Sequence, residues 1–185
     1  MERIAIIGNS GGGKSTLSQR LAVGLDLPWF EIDRFLWRPG WEPAPPNDYE
    51  AEHSRILALD RWLLDGLGRM ESLPARLGRA SAVVLIDLPL ETHLQLAVER
   101  QEDWAAGRLK KPPAGAATPP SDEAIVRNIL EIERDWMPAI RDQVAAAHGD
   151  GREVHRLASL DELAAFETAA LAAVDRPDVH GQKPG

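Results

Sequence analysis

The sequence predicts an α/β protein built on a parallel sheet, and three observations support this. Strand-like apolar runs and helix-like segments alternate along the chain. The first run, residues 3–7 (R-I-A-I-I), leads through a glycine-rich turn into a segment with Leu17, Leu21 and Leu25 at helical spacing. The chain has 185 residues, 44% hydrophobic and 27% charged, which suits one soluble globular domain.

Five segments are predicted as strands because each is short and apolar. Residues 82–87 (A-V-V-L-I-D) form the clearest buried run, and residues 29–33 follow Pro28. The predicted strands are therefore residues 3–7, 29–33, 61–65, 82–87 and 153–157.

Helices and loops are predicted between these strands from capping and breaking residues. Pro89 opens a helix, Ser121 caps a long helix that is interrupted at Pro138, and Ser159 with Glu162 forms a capping box. Proline-rich stretches predict loops, and the polar end of the chain predicts a frayed tail. The helices lie at about 15–25, 48–59, 73–79, 89–100 or beyond, 121–147 and from 159; the loops at 38–48 and 105–120; the tail at 176–185.

The overall composition excludes several classes of function. The net charge of −8 and the lack of a basic stripe argue against direct binding of nucleic acid. The sequence contains no cysteine, so disulfides and thiol catalysis are excluded. No apolar run approaches the roughly 20 residues of a membrane span, and the N-terminus has no signal-peptide layout. We therefore expect a cytoplasmic protein with no membrane partner.

The glycine-rich turn has the spacing of a phosphate-binding loop. Residues 8–15 read G-N-S-G-G-G-K-S, which fits G-x-x-x-x-G-K-[ST] between a strand and a helix. Glycines let successive backbone N–H groups point at the phosphates of ATP, Lys14 adds a point charge, and the Ser15 hydroxyl is a ligand for Mg²⁺. A glycine-rich turn without a ligand is the alternative. The predicted nucleotide-binding residues are Gly8, Asn9, Ser10, Gly11, Gly12, Gly13, Lys14, Ser15 and Thr16.

Three predicted strands end in an aspartate: Asp33, Asp65 and Asp87. In an open α/β sheet, ligands bind beyond the carboxyl ends of the strands. A carboxylate at this edge can organise Mg²⁺ and its waters. Each aspartate taken alone can instead cap a neighbouring helix.

The segment after Asp65 reads D-G-L-G-R and adds a second candidate for ligand binding. Gly66 lets a ligand or another segment approach closely, and Arg69 can hold a phosphate in a bidentate manner. The alternative for Arg69 is a surface position after a tight turn.

Two tryptophans, Trp37 and Trp41, flank Arg38-Pro39-Gly40 in the predicted loop. Their planar rings can stack on a base or a sugar of the substrate. The alternative is that they fill the small core beneath this loop.

Four of these segments resemble the adenylate-kinase-like group of small P-loop phosphotransferases, and particularly its branch of DNA topology modulation proteins. They are G-N-S-G-G-G-K-S-T at 8–16, D-R-F-L-W-R-P-G-W at 33–41, W-L-L-D-G at 62–66 and V-L-I-D-L-P at 84–89. The resemblance covers roughly residues 1–175 and is weaker after residue 100. In this chain Leu67 replaces the asparagine that usually follows D-G in that branch.

The resemblance implies a three-layer P-loop fold with a five-stranded parallel sheet in the order 2-3-1-4-5. It implies one domain at 1–175, with a helical substrate-binding insert at about 34–60 and a lid at about 101–121, followed by the tail. By analogy, Lys14 and Ser15 bind triphosphate and Mg²⁺, Asp65 organises the metal shell, and Asp33 and Arg69 face the acceptor. Related kinases place the adenine edge near the positions of Ala158 and Ser159.

Related kinases also bring arginines from the lid to the transferring phosphoryl group. Here the candidates are Arg108, next to Gly107, and then Arg100 and Arg127. The alternative for each is a solvated charge on a helix.

These inferences together predict an ATP- and Mg²⁺-dependent phosphotransferase that acts on a small nucleotide or nucleoside-like acceptor. Lys14, Asp33, Arg69, Arg100, Arg108 and Arg127 are the predicted catalytic residues, and Ser15 and Asp65 the predicted metal ligands. The substrate site is predicted to contain Asp33, Trp37, Trp41, Asp65, Gly66 and Arg69. The alternative function is a regulatory module that binds ATP, hydrolyses it slowly and has no small-molecule acceptor.

Overall fold

The central feature of the computed structural model, which describes residues 1–108 and 120–173, is a five-stranded parallel sheet in the order β2-β5-β1-β6-β7. The predicted fold class and strand order are confirmed, because these strands are the five predicted ones. A two-stranded antiparallel hairpin, β3–β4, lies outside this sheet. The strands are β1 (Arg3–Gly8), β2 (Trp29–Glu31), β3 (Trp37–Arg38), β4 (Glu42–Pro43), β5 (Trp62–Asp65), β6 (Ala82–Ile86) and β7 (Glu153–Leu157).

Strand β1 lies at the centre of the sheet and pairs with β5 on one side and β6 on the other. Ile6 is in register with Asp65 of β5 and with Val84 of β6. All three strands are buried almost throughout, which is typical of parallel sheets covered on both faces. The carboxyl ends of β1, β2 and β5 therefore meet at one edge of the sheet.

Helices cover both faces of the sheet and enclose two apolar cores. One core contains side chains from α3, α4, α6 and α7, and the other contains side chains from α1 and α8. The helices are α1 (Lys14–Gly24), α2 (Asp33–Leu36), α3 (Pro46–Leu57), α4 (Leu73–Arg79), α5 (Leu90–Ala105), α6 (Asp122–Asp135), α7 (Met137–Gly149) and α8 (Leu160–Ala172).

Two predicted boundaries near the second strand are wrong. Strand β2 ends at Glu31, and Asp33 begins the short helix α2 instead of ending the strand. The stretch 38–48 is not a loop throughout, because it contains most of the β3–β4 hairpin and the start of α3 at Pro46. Proline is favoured in the first turn of a helix, where its missing N–H costs nothing.

The long predicted helix is two helices that meet at Trp136. The predicted interruption is observed two residues before Pro138, because Pro138 is the second residue of α7, where proline is tolerated. The predicted caps are observed: the Ser121 hydroxyl accepts from the Ala124 N–H, and Ser159 begins α8 in the same way.

Most of the predicted lid at 101–121 and the whole predicted tail at 176–185 lie outside the described residues. The two ends of the lid are described, and the Gln101 Nε2 group donates to the Pro120 carbonyl over 2.6 Å. The division into domain, insert and lid stays a prediction. Across residues 1–108 and 120–173, every helix is too short or too polar to span a bilayer.

A fully buried arginine, Arg76, holds the loop after β5. Its Nη1 and Nη2 groups donate to the Gly66 and Leu67 carbonyls over 2.8 and 3.0 Å. Its Nε group donates to Nε2 of His53, which is also buried, over 3.5 Å. Burial, and next the Arg76 charge, lower the pKa of His53 to about 4. A neutral His53 is therefore part of the core beneath this loop.

We expect the buried His53 to make folding sensitive to mild acid. Its pKa is lower in the folded state than the roughly 6.5 of an unfolded histidine, so its contribution to stability is complete above pH 6.5 and is lost as the pH falls towards 4. The free energy of unfolding in urea should fall for the wild type as the pH is lowered over this range. In His53→Gln this fall should be smaller by up to about 3 kcal/mol. The control His148→Gln, at an exposed position, should keep the wild-type pH dependence. An unchanged slope in His53→Gln would contradict the assignment.

Candidate active site

The loop between β1 and α1 folds back on itself because glycine stands at its turning points. Gly8, Gly11 and Gly13 have positive φ angles of 152°, 80° and 78°. A Cβ atom at Gly8 would lie 2.3 Å from the Ile86 carbonyl oxygen, and one at Gly11 would lie 2.5 Å from the His93 carbonyl oxygen. Side chains are therefore excluded at both positions, and the backbone takes the curved path of a phosphate-binding loop.

Helix α1 begins at Lys14, directly after this loop. Gly13 is its N-cap residue and has a left-handed conformation, and Ser15 and Thr16 lie exposed in the first turn. A Cβ atom at Gly13 would have no heavy atom of the described residues within 4 Å, so the space in front of the loop is open on this side. A helix N-terminus facing open space favours an anion.

The ammonium group of Lys14 lies inside the loop. Its Nζ donates to the Asn9 carbonyl over 2.7 Å. Burial lowers the pKa of Lys14, while Asp33 and then Asp65 act in the opposite direction. The predicted lysine and the two predicted carboxylates therefore lie within electrostatic reach of one another.

Asp65 ends β5 and is 2% exposed. Burial raises its pKa to about 6, although the Ser18 hydroxyl, the Lys14 ammonium and the Ser15 hydroxyl each favour the ionised form. The two hydroxyls lie near enough to influence the pKa of Asp65, but neither forms a hydrogen bond of normal geometry with it. Asp65 Oδ2 has no hydrogen-bond partner among the described residues. A buried carboxylate oxygen with this deficit suits a bound cation.

Asp33, at the start of α2, is solvent-exposed although protein surrounds it closely enough to raise its pKa. After this desolvation, the Lys14 ammonium lowers the pKa of Asp33 and Glu31 raises it. Asp33 is therefore a carboxylate that a soluble ligand can reach.

Arg100 on α5 is the predicted lid arginine that the structure brings to this group. It is half-buried, burial lowers its pKa, and the Asp33 carboxylate is the main opposing influence. Its Nε atom is buried and has no hydrogen-bond partner in the described part of the chain.

Arg69 lies on the loop that Arg76 supports. Its Nη2 group donates to the Ala44 carbonyl over 3.0 Å, and its guanidinium lies 5.3 Å from the centre of the Tyr49 ring. The Tyr49 hydroxyl accepts from the Arg69 N–H over 3.2 Å and bonds the Ser72 hydroxyl over 2.8 Å. Gly66, with φ of 112°, makes the turn between Asp65 and this arginine. Arg69 is therefore fixed in place by the Ala44 carbonyl and the Tyr49 side chain.

The two tryptophans of the insert contact each other across the hairpin. The ring centres of Trp37 and Trp41 lie 6.1 Å apart in a T-shaped arrangement, and both side chains are half-buried. Trp41 has a positive φ of 63°, next to Gly40 in the turn. A role in stacking on a substrate stays a prediction.

Two other predicted arginines, Arg108 and Arg127, have other surroundings in the described part of the chain. Arg108 is exposed and pairs with Asp103 over 2.7 Å. Arg127 is exposed on α6, where it lines a surface groove of about 470 Å³. This groove is the larger of the two described, but its described walls contain no residue of the phosphate-binding loop.

Sequence reasoning missed two residues of the site. His93 on α5 donates through Nδ1 to the Ser10 carbonyl over 2.9 Å, and its ring lies where a side chain at Gly12 would be. Nothing in the sequence indicates this contact, which joins residues 83 positions apart. Glu31, two residues before Asp33, influences the pKa of both Asp33 and Asp65. Its position at the carboxyl end of β2, where ligands bind in an open α/β sheet, could have revealed it.

Comparison with solved structures identifies the architecture. A shikimate kinase from Acinetobacter baumannii, in complex with shikimate, matches with a TM-score of 0.57 and 15% identity over 94% of this chain and 93% of that one. The chain has the fold of small P-loop kinases. A gluconokinase from Sinorhizobium meliloti 1021 matches with a TM-score of 0.53 and 17% identity over 94% and 93% of the two chains. No protein-family model and no curated protein matches the sequence.

The donor atoms present fit a nucleoside triphosphate with Mg²⁺. The loop from Gly8 to Gly13 and the Lys14 ammonium would hold phosphates, and Ser15 and the orphaned oxygen of Asp65 would hold the cation. Among the described residues, no three histidine or acidic side chains form a metal-binding group. Mg²⁺ does not need one, because it keeps several waters and takes one or two protein carboxylates.

We expect Asp65 to cost stability in the free protein. Its folded pKa of about 6 exceeds the roughly 3.9 of an unfolded aspartate, so the cost grows from pH 4 to 6 and is complete above pH 6. Urea unfolding at pH 8 with chelator should therefore show Asp65→Asn more stable than wild type by about 1–3 kcal/mol.

The matched control for this measurement is Asp142→Asn, at an exposed position of α7, which should leave stability within about 0.5 kcal/mol of wild type. A destabilised Asp65→Asn would contradict the view that Asp65 is kept for a ligand at the expense of the fold.

Proposed function

We propose that this protein is an ATP- and Mg²⁺-dependent phosphotransferase that transfers the γ-phosphoryl group to a small-molecule acceptor. One observation carries the proposal: beside the phosphate-binding loop, the accessible carboxylate Asp33 lies close enough to Lys14 and to Arg100 to influence the pKa of both. Two cations and a carboxylate that solvent can reach suit the transfer of a phosphoryl group to an acceptor better than nucleotide binding alone.

The nucleotide side of the site consists of the loop from Gly8 to Gly13, with Lys14 and Ser15. Bound ATP with Mg²⁺ supplies the phosphoryl group and part of the charge that stabilises its transfer. The backbone N–H groups and the Lys14 ammonium bind the phosphates, and Asp65 and Ser15 hold the cation. Lys14 then exchanges its bond to the Asn9 carbonyl for one to a phosphate oxygen.

The acceptor side consists of Asp33, Arg69 and Arg100. Asp33 orients the acceptor and takes its proton where the acceptor group is a hydroxyl, since Asp33 is the accessible carboxylate of the group; a phosphate acceptor it only positions. Arg100 neutralises charge on the transferring group, and Arg69 binds an anionic part of the acceptor with the donors that Ala44 leaves free. A role of Arg108 and Arg127 at the transferring group stays a prediction.

The acceptor is a small molecule with a hydroxyl or phosphate group. The sequence resemblance favours a nucleotide or nucleoside, and the names of the two structural neighbours favour a hydroxy acid. Trp37 and Trp41 would form the wall of the pocket that selects between them.

The adenine base has a candidate position at the far end of the loop. A cavity of about 260 Å³ lies between Leu88–Thr92 and Ala158–Asp161. Its walls include Leu88, Pro89 and Leu160, which offer apolar contact to a planar base. The resemblance to adenylate kinases supports this position.

The alternative is a regulatory ATPase module without a small-molecule acceptor. The observation that favours it is that Arg108 pairs with Asp103, and that Arg127 lines a groove whose described walls contain no residue of the phosphate-binding loop. Few arginines at the transferring group would leave hydrolysis slow.

An acceptor screen separates the two functions. Nucleotides, nucleosides, shikimate, gluconate and other hydroxy acids are each mixed with ATP and Mg²⁺, and ADP release is measured. If the protein is a kinase, one class of acceptor should stimulate ADP release at least about tenfold. If none of these acceptors stimulates ADP release, the regulatory ATPase module is supported.

If that acceptor reacts through a hydroxyl, we expect Asp33→Asn to lower kcat by about 10²–10⁴-fold with ATP affinity nearly unchanged, because the variant cannot take the proton of the acceptor. Arg69→Lys should mainly raise the KM of an anionic acceptor, since a lysine cannot form a bidentate pair. Arg20→Lys, in an exposed pair with Glu167, is the control and should behave as wild type. A kcat retained in Asp33→Asn would contradict the role of Asp33.

A further inference from the structure

A continuous chain of polar contacts runs from the phosphate-binding loop to the last strand of the sheet. Asn9 Nδ2 donates to Glu133 Oε2 over 3.4 Å, and Arg141 Nη2 donates to Glu133 Oε1 over 2.6 Å. The Arg141 guanidinium also donates to both oxygens of Asp87, over 2.8–3.2 Å. Arg156 Nε donates to Asp87 Oδ2 over 2.7 Å. The chain thus links the loop with α6, α7, β6 and β7.

Asn9 is the point where this chain enters the loop. It is fully buried, and its Nδ2 group also donates to the Ile129 carbonyl over 3.0 Å. Its Oδ1 accepts from the Ser10 N–H over 2.7 Å, and its carbonyl accepts from Lys14 Nζ over 2.7 Å. Asn9 therefore links Glu133 to the Lys14 ammonium group, which is proposed to bind the phosphates.

The charges along this chain cancel in pairs. The carboxylates of Glu133 and Asp87 face the guanidiniums of Arg141 and Arg156. The Asp87 side chain is 2% exposed and those of Glu133 and Arg141 are 24% and 32% exposed, so water screens them only in part. Burial alone would raise the pKa of Asp87, but hydrogen bonds from Arg141 and Arg156 outweigh it and lower the pKa.

The charge of Glu133 reaches the phosphate-binding loop. Glu133 and Asp87 both act on the pKa of His93, the residue that donates to the Ser10 carbonyl. Without a cation beside it, the Glu133 carboxylate would repel the phosphates of a nucleotide bound to the loop. Arg141 is the described cation that binds Glu133, and Asp87 holds Arg141 from its other side.

We propose that Arg141 is a positioning residue of the nucleotide site, which neutralises Glu133 and keeps it bound to Asn9 behind the phosphate-binding loop. This inference rests on the proposed ATP site. Arg141 does not touch the nucleotide: it acts through Glu133 and Asn9. Its removal leaves a carboxylate with its full charge next to a bound polyphosphate, so Arg141 contributes to affinity from the far side of the loop.

The test is a double-mutant cycle on the binding of Mg²⁺–ATP by the full chain, measured by calorimetry at low and moderate salt. Arg141→Gln should raise the Kd about tenfold, more at low salt, because the charge of Glu133 is then unopposed. Glu133→Gln keeps a hydrogen-bond acceptor for Asn9 and should bind as tightly as wild type or more tightly. The double variant Arg141→Gln/Glu133→Gln should return to within about twofold of wild type.

The rescue separates positioning from a merely structural role. If Arg141 mattered only for packing, the double variant would have a lower melting temperature and would bind Mg²⁺–ATP as weakly as Arg141→Gln. Arg152→Gln, which removes an exposed pair with Asp150 on the loop before β7, is the control and should leave the Kd unchanged. If Arg141→Gln does not fold, Arg141→Lys replaces it, with a rise in Kd of about threefold that Glu133→Gln again restores.

Two results would overturn the inference alone: an Arg141 variant that binds within twofold of wild type, or a double variant as weak as the single one. Wild-type protein that binds no Mg²⁺–ATP would instead overturn the proposed function, and this inference with it.

Discussion

The close packing of the loop at Gly8–Gly13 is the constraint on which the rest of the site depends. Strand β6 approaches Gly8, and helix α5 approaches Gly11 and Gly12, so closely that a side chain has no room. The backbone must therefore curl, α1 must begin at Lys14, and the ammonium of Lys14 must lie inside the curve. Because β5 and β2 follow β1 on one side of the sheet, their carboxyl ends bring Asp65 and Asp33 to the same place.

The polar groups of the site are arranged at a cost to the fold. Burial lowers the pKa of Lys14 and raises the pKa of Asp33 and of Asp65, which favours their neutral forms. One buried oxygen of Asp65 has no hydrogen-bond partner among the described residues. Groups that were selected for stability alone would be paired within the protein, as Asp87 is with Arg141 and Arg156. This contrast between satisfied and unsatisfied carboxylates supports the proposed ligand site at the carboxyl end of β5.

The sequence was informative wherever a local rule decides the structure. The five strands, the helix at Leu73–Arg79 and the caps at Ser121 and Ser159 follow from apolar runs and capping residues. Helix α2 and the β3–β4 hairpin were missed, because a helix of four residues makes barely one turn and strands of two residues show no alternation. The phosphate-binding loop is legible as a motif. The contacts of Asn9 with α6 are not, because they join residues 120 or more positions apart that only the tertiary fold brings together.

The central claim is that residues 8–16 bind the phosphates of a magnesium–nucleotide complex through Lys14. Its most direct test is a calorimetric titration of the folded wild-type chain with a nonhydrolysable Mg²⁺–ATP analogue, beside Lys14→Met. We expect saturable binding of one nucleotide per chain, weakened at least about a hundredfold in Lys14→Met, because the variant loses a charged donor to the phosphates. Absence of binding by the wild type, or equal binding by both proteins, would contradict it.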